Sequence, residues 1–208
     1  KEGSVFRKDW IKFKKMLPLD RYDKIVAYCD PSFKGSTQND YKAIKVWGKI
    51  GTELHHIKAF VRQCSVSEMV RWFYDLHESL PEGVICEYYI EANFLQDILL
   101  DEFATEGRLR GYQLPIQADK RKKPDKFGRI EAVSPLWERG FVFYNEAMKN
   151  DPDMLAGIEQ TLSIEKGSRT HDDAPDADEG AIYILQKYTR VQEYQPSFGM
   201  RRSPKNSW

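Results

Sequence analysis

The sequence has 208 residues, 41% of them hydrophobic and 31% charged, with 32 basic and 32 acidic side chains, which suits one globular domain with a sizeable core. The zero net charge gives no general attraction to a polyanion, so a nucleic-acid surface has to be sought in local clusters. Three widely separated cysteines suggest neither a disulfide framework nor a zinc site. The sequence has no apolar run of membrane-spanning length and no apolar core of a signal peptide, which argues against a membrane or secreted protein. We therefore expect an intracellular protein.

The first predicted strands form an antiparallel meander. Residues 1–23 are basic and irregular, and we expect them to be a lead-in or interdomain linker segment. The run "KIVAYCDPS" is rich in β-formers and is stopped by Asp30 and Pro31, because proline cannot continue a central ladder. Two further β-rich runs, "YKAIKVWGKI" and "LHHIKAFVR", are separated by a short turn that contains glycine, so three antiparallel strands are the simplest interpretation.

From Ser67 onward, helices and strands alternate. Apolar residues at spacings of three and four predict a crossover helix that follows a serine cap and ends at Pro81. A strand in "EYYIEANF" and a helix closed by Gly107 come next. The remaining elements are a strand in "GYQLPIQAD", a helix at about 125–137, a strand in "GFVFYN", a helix at about 153–162 and a last helix in "AIYILQKYT". This order predicts an α/β domain over residues 24–190, with a mixed sheet of three antiparallel strands and then parallel strands, flanked by helices. Residues 191–208 have little periodicity and are expected to be a flexible tail.

Carboxylates stand at three places where such a sheet would form a cleft. Asp30 closes the first strand, Glu91 lies near the end of "EYYIEANF", and several aspartates precede or open the last helix. If the strands that carry Asp30 and Glu91 are neighbours, both acids emerge at one edge of the sheet. Oxygen ligands without cysteine suit Mg²⁺ or Mn²⁺ rather than zinc, and two such ions held by carboxylates can support phosphodiester cleavage.

Each acid taken alone also has a simpler interpretation. Asp30 before proline can be an Asx turn, Glu91 can lie on the solvent face of its strand, and Asp172 or Asp173 can cap the last helix. His171 can be a ligand, a base or only a residue at the helix start. The occurrence of all these acids in order, at two strand ends and one helix start, favours the metal site.

A second candidate feature is the basic run "ADKRKKPDKFGR", which holds six basic residues against two acids. Such a run is either a solvated face or a phosphate-binding loop beside the metal site. Under the second interpretation, the candidates for nucleic-acid binding are Lys120, Arg121, Lys122, Lys123, Lys126 and Arg129.

Several of these segments together resemble one family. The segments "IVAYCDPS", "NDYKAI", "YYIEANF", "KPDKFGRIEAVSPLWERGFVFY" and "HDDAPDADEGAI", spread over roughly residues 24–188, look like the C-terminal nuclease domain of the large subunit of tailed-bacteriophage terminases. The resemblance implies an RNase H- or RuvC-like fold and a metal-dependent endonuclease that cuts concatemeric double-stranded DNA during packaging. It also implies that Mg²⁺ or Mn²⁺, as two ions, is the cofactor.

The resemblance also implies roles for individual residues. By position, the catalytic acids and metal ligands are Asp30, Glu91, Asp173 and Asp172, with Asp173 preferred over Asp172. Asp176 is implied as an additional ligand or a supporting acid. Asp178 stands where many relatives carry an apolar residue, and we expect it, like Glu179, to be solvated.

Partners follow from the same resemblance. They are double-stranded DNA, the terminase ATPase domain, the portal and the small terminase subunit, in the host cytoplasm and with no membrane. The sequence has no G-x-x-x-x-G-K-[ST] motif and no initiating methionine, so we expect an isolated nuclease domain without its own ATP site. Two alternatives stay open: another RNase H-like nuclease, such as a junction resolvase or a transposase core, and a non-catalytic docking module of the packaging motor.

Overall fold

The computed structural model describes residues 4–31, 41–91, 97–123, 125–167 and 171–188, and the predicted tail at 191–208 lies outside them. In chain order, the strands are β1 (Phe13–Lys14), β2 (Lys24–Asp30), β3 (Tyr41–Ile50), β4 (Glu53–Gln63), β5 (Cys86–Glu91), β6 (Ile116–Asp119) and β7 (Val142–Asn145). The α-helices are α1 (Val66–Ser79), α2 (Asp97–Arg110), α3 (Lys126–Glu138), α4 (Pro152–Leu162) and α5 (Asp173–Lys187). In the described part of the chain, no helix has the length and apolar character that crossing a bilayer requires.

The strands form one mixed sheet in the order β1-β7-β4-β3-β2-β5-β6. β2, β3 and β4 are antiparallel neighbours, whereas β5 adds to β2 in parallel, β6 adds to β5 in parallel, and β7 adds to β4 in parallel. The predicted sheet of three antiparallel strands followed by parallel strands is therefore confirmed. β2 lies inside the sheet, and every residue from Ile25 to Asp30 is buried because both of its faces are covered.

The two faces of the sheet pack against different helices. Along β2, Val26 and Tyr28 belong to the core that includes residues of α3, α4 and α5, while Ala27 and Cys29 belong to the core that includes residues of α1 and α2. Because successive side chains of a strand point to opposite faces, Asp30 lies on the same face as Tyr28. The strand therefore directs its terminal carboxylate toward the side of the sheet that α5 covers.

The segment ahead of residue 24 packs on this framework. Phe13 pairs with Tyr144, which places β1 beside β7 at the edge of the sheet. Phe6 is buried, and its ring meets the edge of Trp137 at a centroid distance of 5.1 Å. Aromatic side chains thus fix residues 4–23 to the domain, and a role of this segment as an interdomain linker stays a prediction.

Two helix boundaries differ from the sequence-based prediction. α2 continues through Gly107 to Arg110 and ends before Gly111, whose positive φ of 83° provides the left-handed turn. α5 begins at Asp173, so the acidic cluster lies inside the helix instead of ahead of it. The N–H of Asp176 donates to the carbonyl of Asp172 (3.1 Å), which closes the first turn through the cluster.

Gly180 allows α5 to approach the sheet closely, and we expect Gly180→Ala to destabilise the domain. A methyl group there would overlap the ring of Tyr28, which is 0% exposed and is held by a hydrogen bond to Asp119. The overlap should cost about 1–3 kcal/mol of unfolding free energy, as overpacked cores do. This outweighs the about 1 kcal/mol by which alanine favours a helix over glycine. Urea denaturation measures the difference.

Gly107→Ala in α2 is the matched control. The added methyl group would meet the end of the exposed Gln113 side chain, which can swing aside, so the unfolding free energy should stay the same or rise slightly. A Gly180→Ala protein as stable as the wild type would contradict the close packing of α5 on Tyr28.

Candidate metal centre

The parallel strands at one side of the sheet end in acidic residues. Asp30 is the last residue of β2, Glu91 of β5 and Asp119 of β6. These strands are parallel neighbours, with Cys29 opposite Ile90 and Glu91 opposite Asp119, so their carboxyl ends meet at one edge. The strands that carry Asp30 and Glu91 are neighbours, which is the condition under which both acids were expected to emerge at one edge. In α/β sheets, this edge is where ligands commonly bind.

Helix α5 brings a third carboxylate to this edge. Carboxylate oxygens of Asp30, Glu91 and Asp176 all lie within 4.8 Å of one another, and no other group of three His, Cys, Asp or Glu side chains in the described ranges is so arranged. Asp30 and Asp176 are 3% and 4% exposed, respectively, whereas Glu91 is half-buried. Three carboxylates without nitrogen or sulfur ligands fit a hard divalent cation such as Mg²⁺ or Mn²⁺.

Two lysines lie against these carboxylates. Lys126, the first residue of α3, places its Nζ 3.3 Å from Asp176 Oδ2 and 3.6 Å from Asp30 Oδ2. Lys123 places its Nζ 3.3 Å from Glu91 Oε2 and donates a hydrogen bond to Tyr28 Oη (2.7 Å). Each of the three carboxylates therefore has an ammonium group close to it, which offsets part of the cost of burying it.

The same cations determine how the central acid titrates. Burial would raise the pKa of Asp176, but the charges of Lys126, Lys123 and Arg129 outweigh burial and hold that pKa below its ordinary value. Burial would likewise lower the pKa of Lys126, but Asp30, Asp176 and Asp172 outweigh burial and raise it. At neutral pH Asp176 is therefore a carboxylate and Lys126 an ammonium group.

Two arginines connect this site to a second pair of acids. Arg121 donates from Nε to Asp119 Oδ2 (2.9 Å) and from Nη1 to Glu179 Oε1 (2.8 Å), which ties β6 to α5. Arg129 donates from Nη1 to Asp176 Oδ1 (2.9 Å) and also to Glu179. The guanidinium of Arg121 lies 3.6 Å from the ring centroid of Tyr183. Charge-assisted bonds from two elements thus fix the face of α5 that carries Asp176 and Glu179.

The expectation that Asp178 and Glu179 are solvated is wrong, since they are 2% and 4% exposed. Trp47 donates from Nε1 to Asp178 Oδ1 (2.8 Å), and the Nζ of Lys45 lies 3.4 Å from the same oxygen. Burial raises the pKa of Asp178 despite the charge of Lys45. Both acids were misplaced because their partners, Trp47 and Arg121, are remote in sequence, 131 and 58 residues away.

The structure places the other predicted acids around the helix start. Asp172 accepts a hydrogen bond from Lys126 Nζ (2.8 Å). Asp173, the preferred candidate, is 2% exposed and lies one helical turn before Asp176, with its Oδ2 3.9 Å from Nδ1 of the exposed His171. Asp173 is outside the group of three carboxylates found among the described residues. Direct metal binding by Asp172 and Asp173 stays a prediction.

Some residues of the basic run are exposed to solvent, and others form ion pairs with the acids. Lys120 and Lys122 are exposed. The other four candidates point at the carboxylates and make ion pairs with them: Arg121, Lys123, Lys126 and Arg129. The run is thus neither a purely solvated face nor a purely phosphate-facing loop.

Asp119 is the residue of this site that the sequence analysis missed. It is 8% exposed and accepts hydrogen bonds from Tyr28 and Arg121. The available signal was an aspartate at the end of the fifth predicted strand, "GYQLPIQAD", at the start of the basic run.

We expect Lys126→Met to destabilise the metal-free protein by about 1–3 kcal/mol, because it removes a cation that lies within 3.6 Å of two buried carboxylates. Saturating Mn²⁺ should reduce the loss, since a divalent cation neutralises the same oxygens. Urea denaturation with EDTA and then with Mn²⁺ measures both values.

The exposed Lys122 supplies the matched control, and Lys122→Met should change the unfolding free energy little in either condition. An equal loss for Lys126→Met with and without Mn²⁺ would show that Lys126 does not share its carboxylates with a metal.

The sequence matches no protein-family model and no curated protein. The structure, however, resembles solved viral terminases at low sequence identity. The nuclease domain of the human cytomegalovirus terminase, soaked with Mn and bound to an inhibitor, superposes with a TM-score of 0.62 and 13% identity, covering 86% of this chain and 94% of that one.

Two proteins of thermophilic bacteriophages show the same likeness. The large terminase nuclease of phage G20c gives a TM-score of 0.55 with 16% identity, over 90% of this chain and 100% of that chain. The whole large terminase of a second thermophilic bacteriophage gives 0.58 with 17% identity, over 88% of this chain and 45% of that one, so this chain spans less than half of that protein. The chain therefore has the RNase H-like fold of the terminase nuclease domains.

Proposed function

We propose that this chain is a divalent-metal-dependent endonuclease that hydrolyses phosphodiester bonds of double-stranded DNA, and that it is the nuclease part of a viral DNA-packaging terminase. The observation that carries the proposal is the group of Asp30, Glu91 and Asp176, whose oxygens lie within 4.8 Å of one another. The group stands at the carboxyl edge of the sheet in a fold shared with an Mn-soaked terminase nuclease domain of human cytomegalovirus.

Asp30, Glu91 and Asp176 would hold Mg²⁺ or Mn²⁺, and we propose Asp172 and Asp173 as further ligands for a second ion. Such ions activate a water molecule and stabilise the attacking and leaving oxygens of an in-line displacement at phosphorus. The protein supplies carboxylates fixed on two strands and one helix. Ion pairs with Lys126 and Arg129 hold the carboxylate of Asp176 in place, which reduces the ordering that metal binding would require.

The basic run would contact the DNA backbone. Lys120 and Lys122 are exposed beside the centre, and Lys123 and Lys126 lie at the carboxylates themselves. A cavity of about 560 Å³ opens on the same side between α3 and α5, lined in part by Arg121, Lys122, Arg129 and Tyr183. Contacts to phosphate give affinity without reading bases, so we propose cutting with little sequence specificity.

The partners we propose are those of a packaging motor: a terminase ATPase domain, the portal and the small terminase subunit, in the host cytoplasm. Support comes from the whole large terminase of the second thermophilic phage, of which this chain matches 45% and which has been solved in complex with ADP.

We expect Asp30→Asn and Asp176→Asn each to lower Mn²⁺-dependent nicking of supercoiled plasmid by more than about 100-fold. Losing a supporting partner behind a ligand already costs about 10–100-fold, and the loss of a ligand should exceed that. The rate of nicking at saturating Mn²⁺ is the measurement, and the same assay on Asp173→Asn tests its proposed role as a ligand.

The exposed Asp101 on α2 supplies the control, because Asp101→Asn changes the net charge equally without touching the centre. Wild-type nicking by Asp176→Asn would rule out the three-carboxylate site. Cleavage confined to branched junctions would contradict the assignment to a packaging terminase and favour a junction resolvase.

A further inference from the structure

A buried ion pair lies behind the metal centre, on the flank of α5 that faces β3. Lys45 and Asp178 are 0% and 2% exposed, and Lys45 Nζ lies 3.4 Å from Asp178 Oδ1. Trp47 donates a hydrogen bond from Nε1 to the same oxygen (2.8 Å). Two side chains of one strand therefore converge on one carboxylate of the helix.

This pair adjoins the apolar core, but two polar side chains also lie near it: the buried ring of His56 packs on Trp47, and the charge of Asp153 acts on Lys45. Trp47 belongs to the same core as Ala177 and Ala181 of α5. Lys45 reaches its partner through a space that Gly157 of α4 leaves open, since a methyl group on Gly157 would lie 2.6 Å from Lys45 Nζ. Apolar side chains of similar size commonly replace such a pair with no loss of stability, because desolvation offsets the attraction. A contribution to the stability of the fold therefore does not explain why this buried pair is present.

The contact face of α5 suggests what the pair does. The residues of α5 that pack on the sheet include Ala174, Ala177, Gly180 and Ala181. Such small side chains form few ridges, and ridges fitted into grooves are what usually fix one helix orientation against its neighbour. Polar contacts with defined partners can add this specification. Arg121 and Arg129 hold the flank of α5 that carries Asp176 and Glu179, and Trp47 and Lys45 hold Asp178 on the flank that faces β3.

Asp178 is well placed for this purpose. It follows Asp176 by two residues, which corresponds to a rotation of about 200° around the helix at 3.6 residues per turn. A bond that holds Asp178 on β3 therefore turns Asp176 toward the opposite flank, where Asp30 and Glu91 lie.

We propose that Lys45, Trp47 and Asp178 are positioning residues for the metal centre. Their contacts set the rotation of α5 about its axis, so that the carboxylate of Asp176 meets those of Asp30 and Glu91. The inference rests on the metal site of the proposed function.

The test is a double variant of the whole chain, Lys45→Met with Asp178→Leu, which removes both charges together. Calorimetric titration with Mn²⁺ in the absence of DNA measures the affinity, and thermal unfolding with EDTA measures stability. We expect an unfolding temperature at least equal to that of the wild type. We expect Mn²⁺ to bind about 10–100-fold more weakly, as when a partner that orients a metal ligand is lost.

Three single variants separate positioning from stability. Trp47→Phe keeps a ring but removes the donor, and Mn²⁺ should bind it more weakly than the wild type. Asp178→Asn keeps an oxygen acceptor for Trp47, and its affinity should stay close to the wild-type value. Ile182→Val, in the buried part of α5, should lower the unfolding temperature and leave the Mn²⁺ affinity unchanged.

The outcomes distinguish the two proposals. Wild-type Mn²⁺ affinity in both the folded double variant and Trp47→Phe would overturn the positioning role and leave the metal site intact. If the double variant does not fold, Trp47→Phe decides in the same way. A folded wild-type protein that binds no Mn²⁺ would overturn the proposed function and the positioning role together.

Discussion

A buried carboxylate needs a cation, and this requirement determines how the residues around α5 are arranged. Lys126 at the start of α3 lies against Asp30 and Asp176, and Arg121, just after β6, holds Glu179. The basic run, α3 and α5 are therefore one electrostatic unit in which each element neutralises another. Removing one of these cations leaves the buried carboxylates with less compensation, and a divalent metal can supply what is lost.

The rest of the site follows from the geometry of the sheet. Side-chain alternation along β2 puts Asp30 on the face that α5 covers, and parallel pairing brings Glu91 beside it. Only then does the rotation of α5 decide which of its acids completes the group. Two residues of α5 act on this rotation. Gly180 allows the helix to lie close against Tyr28, and Asp178 is held by its hydrogen bond with Trp47.

The three antiparallel strands and the parallel strands after them could be predicted from the sequence, because apolar runs and turn residues are local signals. The meeting of Asp30 with Glu91 depended on which strands pair, and the structure provides that pairing. The sequence could not predict that Asp176, one helical turn after Asp173, is the acid of α5 that lies beside Asp30 and Glu91, because this depends on how α5 packs on the sheet. The burial of Asp178 and Glu179 escaped prediction for a related reason. The sequence shows that these two residues are charged but not which side chains they bond. Their partners are Trp47 on β3 and Arg121 in the segment after β6.

We propose Asp30, Glu91 and Asp176 as the residues that bind the catalytic metal. Anomalous diffraction from crystals soaked in Mn²⁺ tests this proposal most directly, because the peaks locate the ion and its ligands together. We expect a peak in contact with oxygens of all three carboxylates. A peak bound by Asp172 and Asp173 without Asp176, or no peak at this edge of the sheet, would contradict it.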